Sequence, residues 1–322
     1  MRLSIYLTSL TLAAALTVTL LAQPRAAAPA PVPNATDQIL AKMPLFTKDD
    51  PWNQDVSKDP VDPSSDAYIQ LIGAAKPLHP DFGTKYGIPF QIVDKTTPRQ
   101  NPKFEYADET DKPAGGYPIP NKPLIEGTTE DPNAEGDRHI LCIDKDTWKL
   151  YELYHCFLKG ATWDCGSGAV FDLTKKSLGQ RPQGWTSADA AGLPIFPGLV
   201  RYDEVAIKKE IPHAIRFTID STMRGYVSPA THFAPHHAKK GSPPLGIRVR
   251  LKADFDIKSF PPDDQVILTC LKKYGMILAD NGSDWYISGA PDPRWNDDDL
   301  NALKKVKGKD FEVVKIGEIV TR

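Results

Sequence analysis

Carboxylates placed beside an aromatic ring on a short, stiff segment are what a site for a polar ligand requires. The chain offers two such places. In Tyr274–Trp295, YGMILADNGSDWYISGAPDPRW, Asp280 and Asp284 flank Asn281-Gly282 and lead into Trp285. In Gly184–Val205, GWTSADAAGLPIFPGLVRYDEV, Asp189, Arg201, Asp203 and Glu204 lie close together, and His213 follows shortly. Pro194 and Pro197 stiffen this second segment, which suits a loop that holds functional side chains. Paired carboxylates are the equipment of glycoside hydrolysis, one as acid and the other as base or nucleophile. The pairing to expect is Asp203 or Glu204 with Asp280 or Asp284, these four being the catalytic candidates. Arg201, Asp189, His213 and Trp285 are the candidates for holding substrate. The same charges also fit a structural crossover in which they cap turns and pair with one another.

A metal site has a weaker basis. THFAPHH supplies His232, His236 and His237, but Pro235 argues against the helix that would align them. No acidic residue lies in the same stretch, so the expectation is a solvated loop, with no metal and no cofactor. His139, after Asp137-Arg138 and just before a strand, reads as a local hydrogen-bonding residue. The G-x-S-x-G elbow, the P-loop, the opening G-x-G-x-x-G and HExxH are all absent.

The elements that must position these residues follow from periodicity. Val266, Ile267, Cys270, Leu271 and Tyr274 share one face of a helix over 263–274. Pro261 and Pro262 precede it, Asp263 and Asp264 suit its positive end, and Gly275 suits a left-handed stop. Met276–Ala279 then reads as a strand, and Asn281-Gly282 as the type I′ turn of a hairpin returning through Trp285-Tyr286-Ile287. Strands are also expected at 90–93, 104–107, 139–143, 149–157, 162–165, 169–173, 214–219, 225–228, 247–251 and 311–316. A second long helix is expected after the N-cap Asn296, over 297–306, and a short one over 67–75. The fold class is therefore α+β, β-rich, with a mainly antiparallel sheet or sandwich and two or three helices.

Organisation and compartment come from the ends and the cysteines. Arg2 followed by apolar Leu3–Ala22 and a small-residue run has the pattern of a secretory signal over residues 1–28, with an uncleaved membrane anchor as the alternative. Residues 29–46 are Ala/Pro-rich and read as a flexible linker, leaving 47–322 as one domain. Within it, 50–136 has few apolar runs and reads as an extended arm wrapped around the rest. Cys156 and Cys165 flank a turn centred near Gly160, within reach of a disulfide worth about 2–3 kcal/mol. Cys142 and Cys270 either form a second bridge or stay buried thiols. An even number of cysteines suits an oxidising, exported setting, secreted or periplasmic.

Composition bounds the rest. The chain has 322 residues, 41% hydrophobic and 25% charged, an ordinary globular mixture long enough for a sizeable core. A formal charge of −2 with scattered Lys and Arg lacks the basic face that nucleic-acid binding needs. No later stretch is apolar enough to span a membrane once the signal is cleaved. Thirty prolines predict long ordered loops.

GLPIFPGLVRYDEV and YGMILADNGSDWYISGAPDPRW, with the DPWNQDV start and the YADETD…YPIP run, resemble segments of uncharacterised secreted bacterial proteins. The resemblance covers most of the mature chain, implies export and a single domain, and carries no activity. With six Trp and eleven Tyr as possible stacking platforms, the leading expectation is a secreted polysaccharide hydrolase. Its partner would be an extracellular polysaccharide or cell-wall glycan. The alternatives are a non-catalytic binding or structural protein, and a polysaccharide lyase using Arg201 to neutralise charge.

Overall fold

A computed structural model describes residues 31–128, 134–234 and 236–321, so the expected signal segment lies outside the described residues. Its first strands are β1 (His79–Asp81), β2 (Phe90–Val93), β3 (Arg99–Gln100), β4 (Lys103–Phe104), β5 (Tyr117–Pro118), β6 (Ile140–Asp144) and β7 (Lys149–Tyr154). Then come β8 (Phe157–Lys159), β9 (Thr162–Cys165), β10 (Ser167–Asp172), β11 (Ile215–Ile219), β12 (Arg248–Leu251), β13 (Met276–Asn281), β14 (Tyr286–Ser288) and β15 (Phe311–Val313). The α-helices are α1 (Ala35–Leu40), α2 (Ser65–Ile72), α3 (Pro262–Lys273) and α4 (Asp297–Leu300).

The architecture is β-rich α+β. Six strands form a mixed sheet in the order β1-β14-β11-β13-β12-β15, and four form a second sheet, β10-β7-β6-β2. Antiparallel pairs predominate, but β11 runs parallel to β13, β1 to β14 and β2 to β6. Helix α3 carries its apolar face, Ile267, Cys270 and Leu271, into the main core. Gly275 follows in the left-handed conformation (φ 67°), and Asn296 caps α4 by accepting from the Asp298 and Asp299 amides. That last helix is short, because the chain tightens to a 3₁₀ turn over Asn301–Lys305.

The expected hairpin at Asn281-Gly282 does not form. Strands β13 and β14 are not neighbours; β11 lies between them, parallel to one and antiparallel to the other. An Asn-Gly pair makes a two-residue turn only when its flanking runs pair together, and here the segment crosses over the end of β11 instead. The residue with positive φ is Trp285 (62°), not Asn281 or Gly282. Gly282 is needed for closeness: a Cβ there would stand 2.9 Å from Thr218 Oγ1.

Two other segments are more ordered than their composition suggests. Residues 34–46 do not run as a free linker: Asn34 and Asp37 make a capping box, Leu40 is buried, and Arg294 binds Asp37 through both oxygens at 2.7 and 3.1 Å. The proline-rich 50–136 stretch supplies β1 to the main sheet and β2 to the second, and so shares the core rather than only wrapping it. The Cys156–Cys165 disulfide forms across the β8–β9 hairpin, whose turn holds Gly160 at φ 65°. Cys142 and Cys270 are separate buried thiols, not a second bridge. Among the described residues no helix is long and apolar enough to cross a membrane.

Candidate functional site

The site is built around Arg216, which projects from β11, the strand that displaced the expected hairpin. Burying a guanidinium is tolerated only with full pairing, and Arg216 has it. Nε and Nη2 donate to the two oxygens of Asp189 at 2.7 and 2.8 Å, Nη2 also reaches Asp280 at 3.2 Å, and Nη1 donates to Ser288 Oγ at 2.5 Å. Asp280 stands at the end of β13, opposite Thr218 of β11. Asp189 arrives on the Gly184–Val205 loop, which is pinned over the sheet by Ala191 N to Ala279 O (2.9 Å) and Val200 N to Ser288 O (3.0 Å).

The Asp189 and Asp280 carboxyls meet over Arg216, whose Nη2 donates to both. Burial first, then the charge and hydrogen bond of Asp189, push the Asp280 carboxyl well above the usual carboxylate range, against the opposing pull of Arg216. One arginine thus serves two carboxyls, and of the two it is Asp280 whose neutral form is favoured. The Asp189 side chain is fully buried, whereas that of Asp280 is 22% exposed, so the member shifted upward is the reachable one.

Further groups support the loop from the second sheet. Glu152 of β7 accepts from the Ile195 amide at 3.0 and 2.9 Å and from the Phe196 amide at 2.8 Å. Its burial raises the carboxyl to about 7 despite those two donors, with the Asp189 charge adding to the rise. His139, immediately before β6, contacts Glu126 Oε2 through Nδ1 (2.5 Å) and the Ala188 carbonyl through Nε2 (3.0 Å). Burial alone would lower its pKa, but the Glu126 carboxylate outweighs it and lifts His139 to about 9. With acceptors on both ring nitrogens it is an imidazolium that fixes the backbone one residue before Asp189. Ser167 and Ser187 complete the support, Ser167 Oγ donating to Ser187 O at 2.6 Å.

Asp189 and Asp280 open onto a cleft of about 610 Å³ that also holds Tyr106, Tyr154, Glu109, Asp137 and His232. The Tyr154 hydroxyl is raised to about 12, by burial and then by the nearby Asp137 and Asp280 carboxyls, so it is a proton donor at neutral pH.

The other sequence candidates lie elsewhere. Arg201, Asp203, Glu204 and His213 form a separate buried cluster, none more than 3% exposed. Arg201 pairs with Asp203 (3.1 Å) and Glu204 (2.5 Å), and Glu204 meets His213 Nε2 at 3.0 Å. Neither Asp203 nor Glu204 is brought to Asp280 or Asp284, and Arg201 is not in the cleft to neutralise a substrate's charge. Asp284 sits in a neighbouring cavity of about 440 Å³, tied to Lys76 (2.5 Å) and to the Asp220 amide (2.9 Å). Trp285 cannot stack on a sugar: it is fully buried, stacked against Phe311 and Phe217, with its indole N–H on Gly73 O. Of the candidates, Asp189 and Asp280 are the two brought together at the cleft.

Arg216, Glu152, Glu126, His139 and Tyr154 were not singled out as site residues by sequence. A signal existed for two of them: Arg216 in IRFTI and Glu152 in LYELY are charges inside apolar strands, a position that demands a buried partner. No protein-family profile, curated protein or solved structure matches the chain.

Proposed function

We propose that the protein is an exported hydrolase acting on a polysaccharide, with Asp280 as its general acid. The observation that carries the reading is the Asp189–Asp280 couple over Arg216 at the wall of an open polar cleft, where burial and the Asp189 charge push the reachable carboxyl above the usual carboxylate range. A general acid needs a proton at working pH and a path to the leaving group; the upward shift of Asp280 favours the first and its place in the cleft supplies the second. Asp189 is not its catalytic partner. The two carboxyls share one Arg216 nitrogen, at 2.8 and 3.2 Å, and the Asp189 side chain is fully buried, which leaves no room between them for a sugar and its attacking water. Asp189 instead sets the Asp280 proton in place, and the base or nucleophile is Glu109 or Asp137, the other acids of the cleft. Tyr106, 48% exposed, and Tyr154 supply aromatic faces for a sugar ring. Export rests on the N-terminal apolar run and agrees with the Cys156–Cys165 disulfide.

The test is a glycan panel read by new reducing ends and by absorbance of unsaturated uronates. Wild-type protein should release reducing ends without the absorbance, and Asp280→Asn should lose roughly 10²–10⁴-fold of that rate. Glycan retained without turnover would replace the hydrolase with a binding module. Wild-type protein that neither cleaves nor retains any glycan would sink the carbohydrate reading.

A further inference from the structure

The loop histidines acquire in three dimensions the acidic partner that their own stretch lacks. Asp220 directly follows β11, and its Oδ1 lies 2.9 Å from His237 Nδ1. His236 Nδ1 lies 3.0 Å from the Asp220 carbonyl oxygen and 3.9 Å from Oδ1. The two imidazoles stand 3.8 Å apart, and one ligand atom from each of the three residues lies within 4.8 Å of the others. Atoms sharing a tetrahedral zinc at ~2.0–2.1 Å are separated by ~3.3 Å. The remaining closure is within reach of side-chain rotation, since His236 and His237 are 49% and 64% exposed.

The backbone beneath them is already fixed. Thr222 N donates to His236 O at 3.1 Å, Ser221 Oγ donates to His237 O at 2.9 Å, and the Ser221 and Ser242 hydroxyls meet at 2.6 Å. Two imidazoles with one carboxylate form a donor set that suits zinc, copper or nickel and not the oxygen-seeking magnesium or calcium.

We propose that Asp220, His236 and His237 bind one divalent transition-metal ion, zinc foremost, with a coordination position left to solvent. His236 lines the cleft and Asp220 the neighbouring cavity, so the ion sits on the wall between them. The same wall is joined to the acid couple: Asn281 Nδ2 donates to Ala234 O (2.6 Å), Thr222 Oγ1 to Asn281 Oδ1 (2.5 Å), and Asn281 N to Asp280 Oδ1 (2.7 Å). Bound metal therefore clamps the histidine loop against the end of β13 without touching Asp280.

Calorimetric titration of Zn²⁺ into chelator-stripped, tag-free protein tests the site. One equivalent should bind, and Asp220→Asn or His237→Gln should weaken it by more than the ~10–100-fold typical of changes one shell further out. His232→Gln, on the same loop but outside the ligand set, should leave the affinity unchanged. Far-UV dichroism checks that each variant is folded. The absence of saturable one-to-one binding, retention of binding in both ligand variants, or an equal loss in His232→Gln would each overturn the assignment.

Discussion

Arg201 and Arg216 each bind two carboxyl groups, yet one carboxyl is pulled down in the first cluster and one is pushed up in the second. Around Arg201, Lys208 adds a second cation at 3.2 Å from Asp203, and His213 bonds Glu204. Burial would raise Glu204, but Arg201 and then His213 outweigh it and hold the carboxyl down to about 2. Around Arg216, among the described residues, no second cation touches either acid; Asp189 takes the bidentate contact and Asp280 the single one. There Asp280 is raised. The number of cations per carboxylate decides in which direction its pKa moves.

The largest expected effect separates the two directly. Glu204→Gln should cost about 3–5 kcal/mol, because it strips a buried arginine of a charged partner. Asp280→Asn should stay within ~1 kcal/mol, because a carboxyl whose neutral form burial already favours is replaced by an amide of similar size. Urea unfolding of both variants measures this, and equal losses would erase the distinction.

A one-to-one pair sharpens it. The folded pKa of His139, about 9, lies above its unfolded value of roughly 6.5. The stabilisation it brings is complete below pH ~6.5 and lost as pH rises through about 9. For Glu204 the sign reverses: its contribution is present above the unfolded value of ~4.3 and disappears as pH falls towards 2. Stability followed from pH 6 to 10 should fall in the wild type and be flatter in His139→Gln. Identical curves would mean that Glu126 does not hold His139 as an imidazolium.

The smallest effect comes from a carboxylate with no cation contact. Both oxygens of Asp264, near the start of α3, are buried without a hydrogen-bond partner among the described residues. Burial, then Asp299 and Asp263, raise it to about 7, with Lys305 opposing. With the folded value above the unfolded ~3.9, its contribution is fully present below that pH and lost as pH rises through about 7. Asp264→Asn should therefore raise Tm at pH 8 and leave it nearly unchanged at pH 4. A gain that is the same at both pH values would show that the carboxyl is not held neutral.

Local signals were readable where one element suffices to satisfy them. The α3 stripe, Gly275 as its stop, the Asn296 cap and the Cys156–Cys165 turn each need only neighbours in sequence, and each is present. Asn281-Gly282 misled because a turn type depends on what its flanking strands pair with, and β11 comes from sixty residues upstream. RYDEV misled in the other direction: its charges are unusual, but their partners are mostly each other, within a π-helical turn over Asp203–Lys208. Asp189 and Asp280 were legible as candidates and not as a pair, since nothing along the chain measures the distance between a loop and the end of a strand.

By itself the sequence determined the β-rich α+β class, the short disulfide loop and the helix ends, all of which follow from periodicity and local backbone preference. Only the tertiary structure decided which acids face one another, that Trp285 is core, and that Asp220 meets His236 and His237. Those outcomes depend on burial and on the count of charges around each group. Both are set by strands far apart in sequence that meet in one sheet.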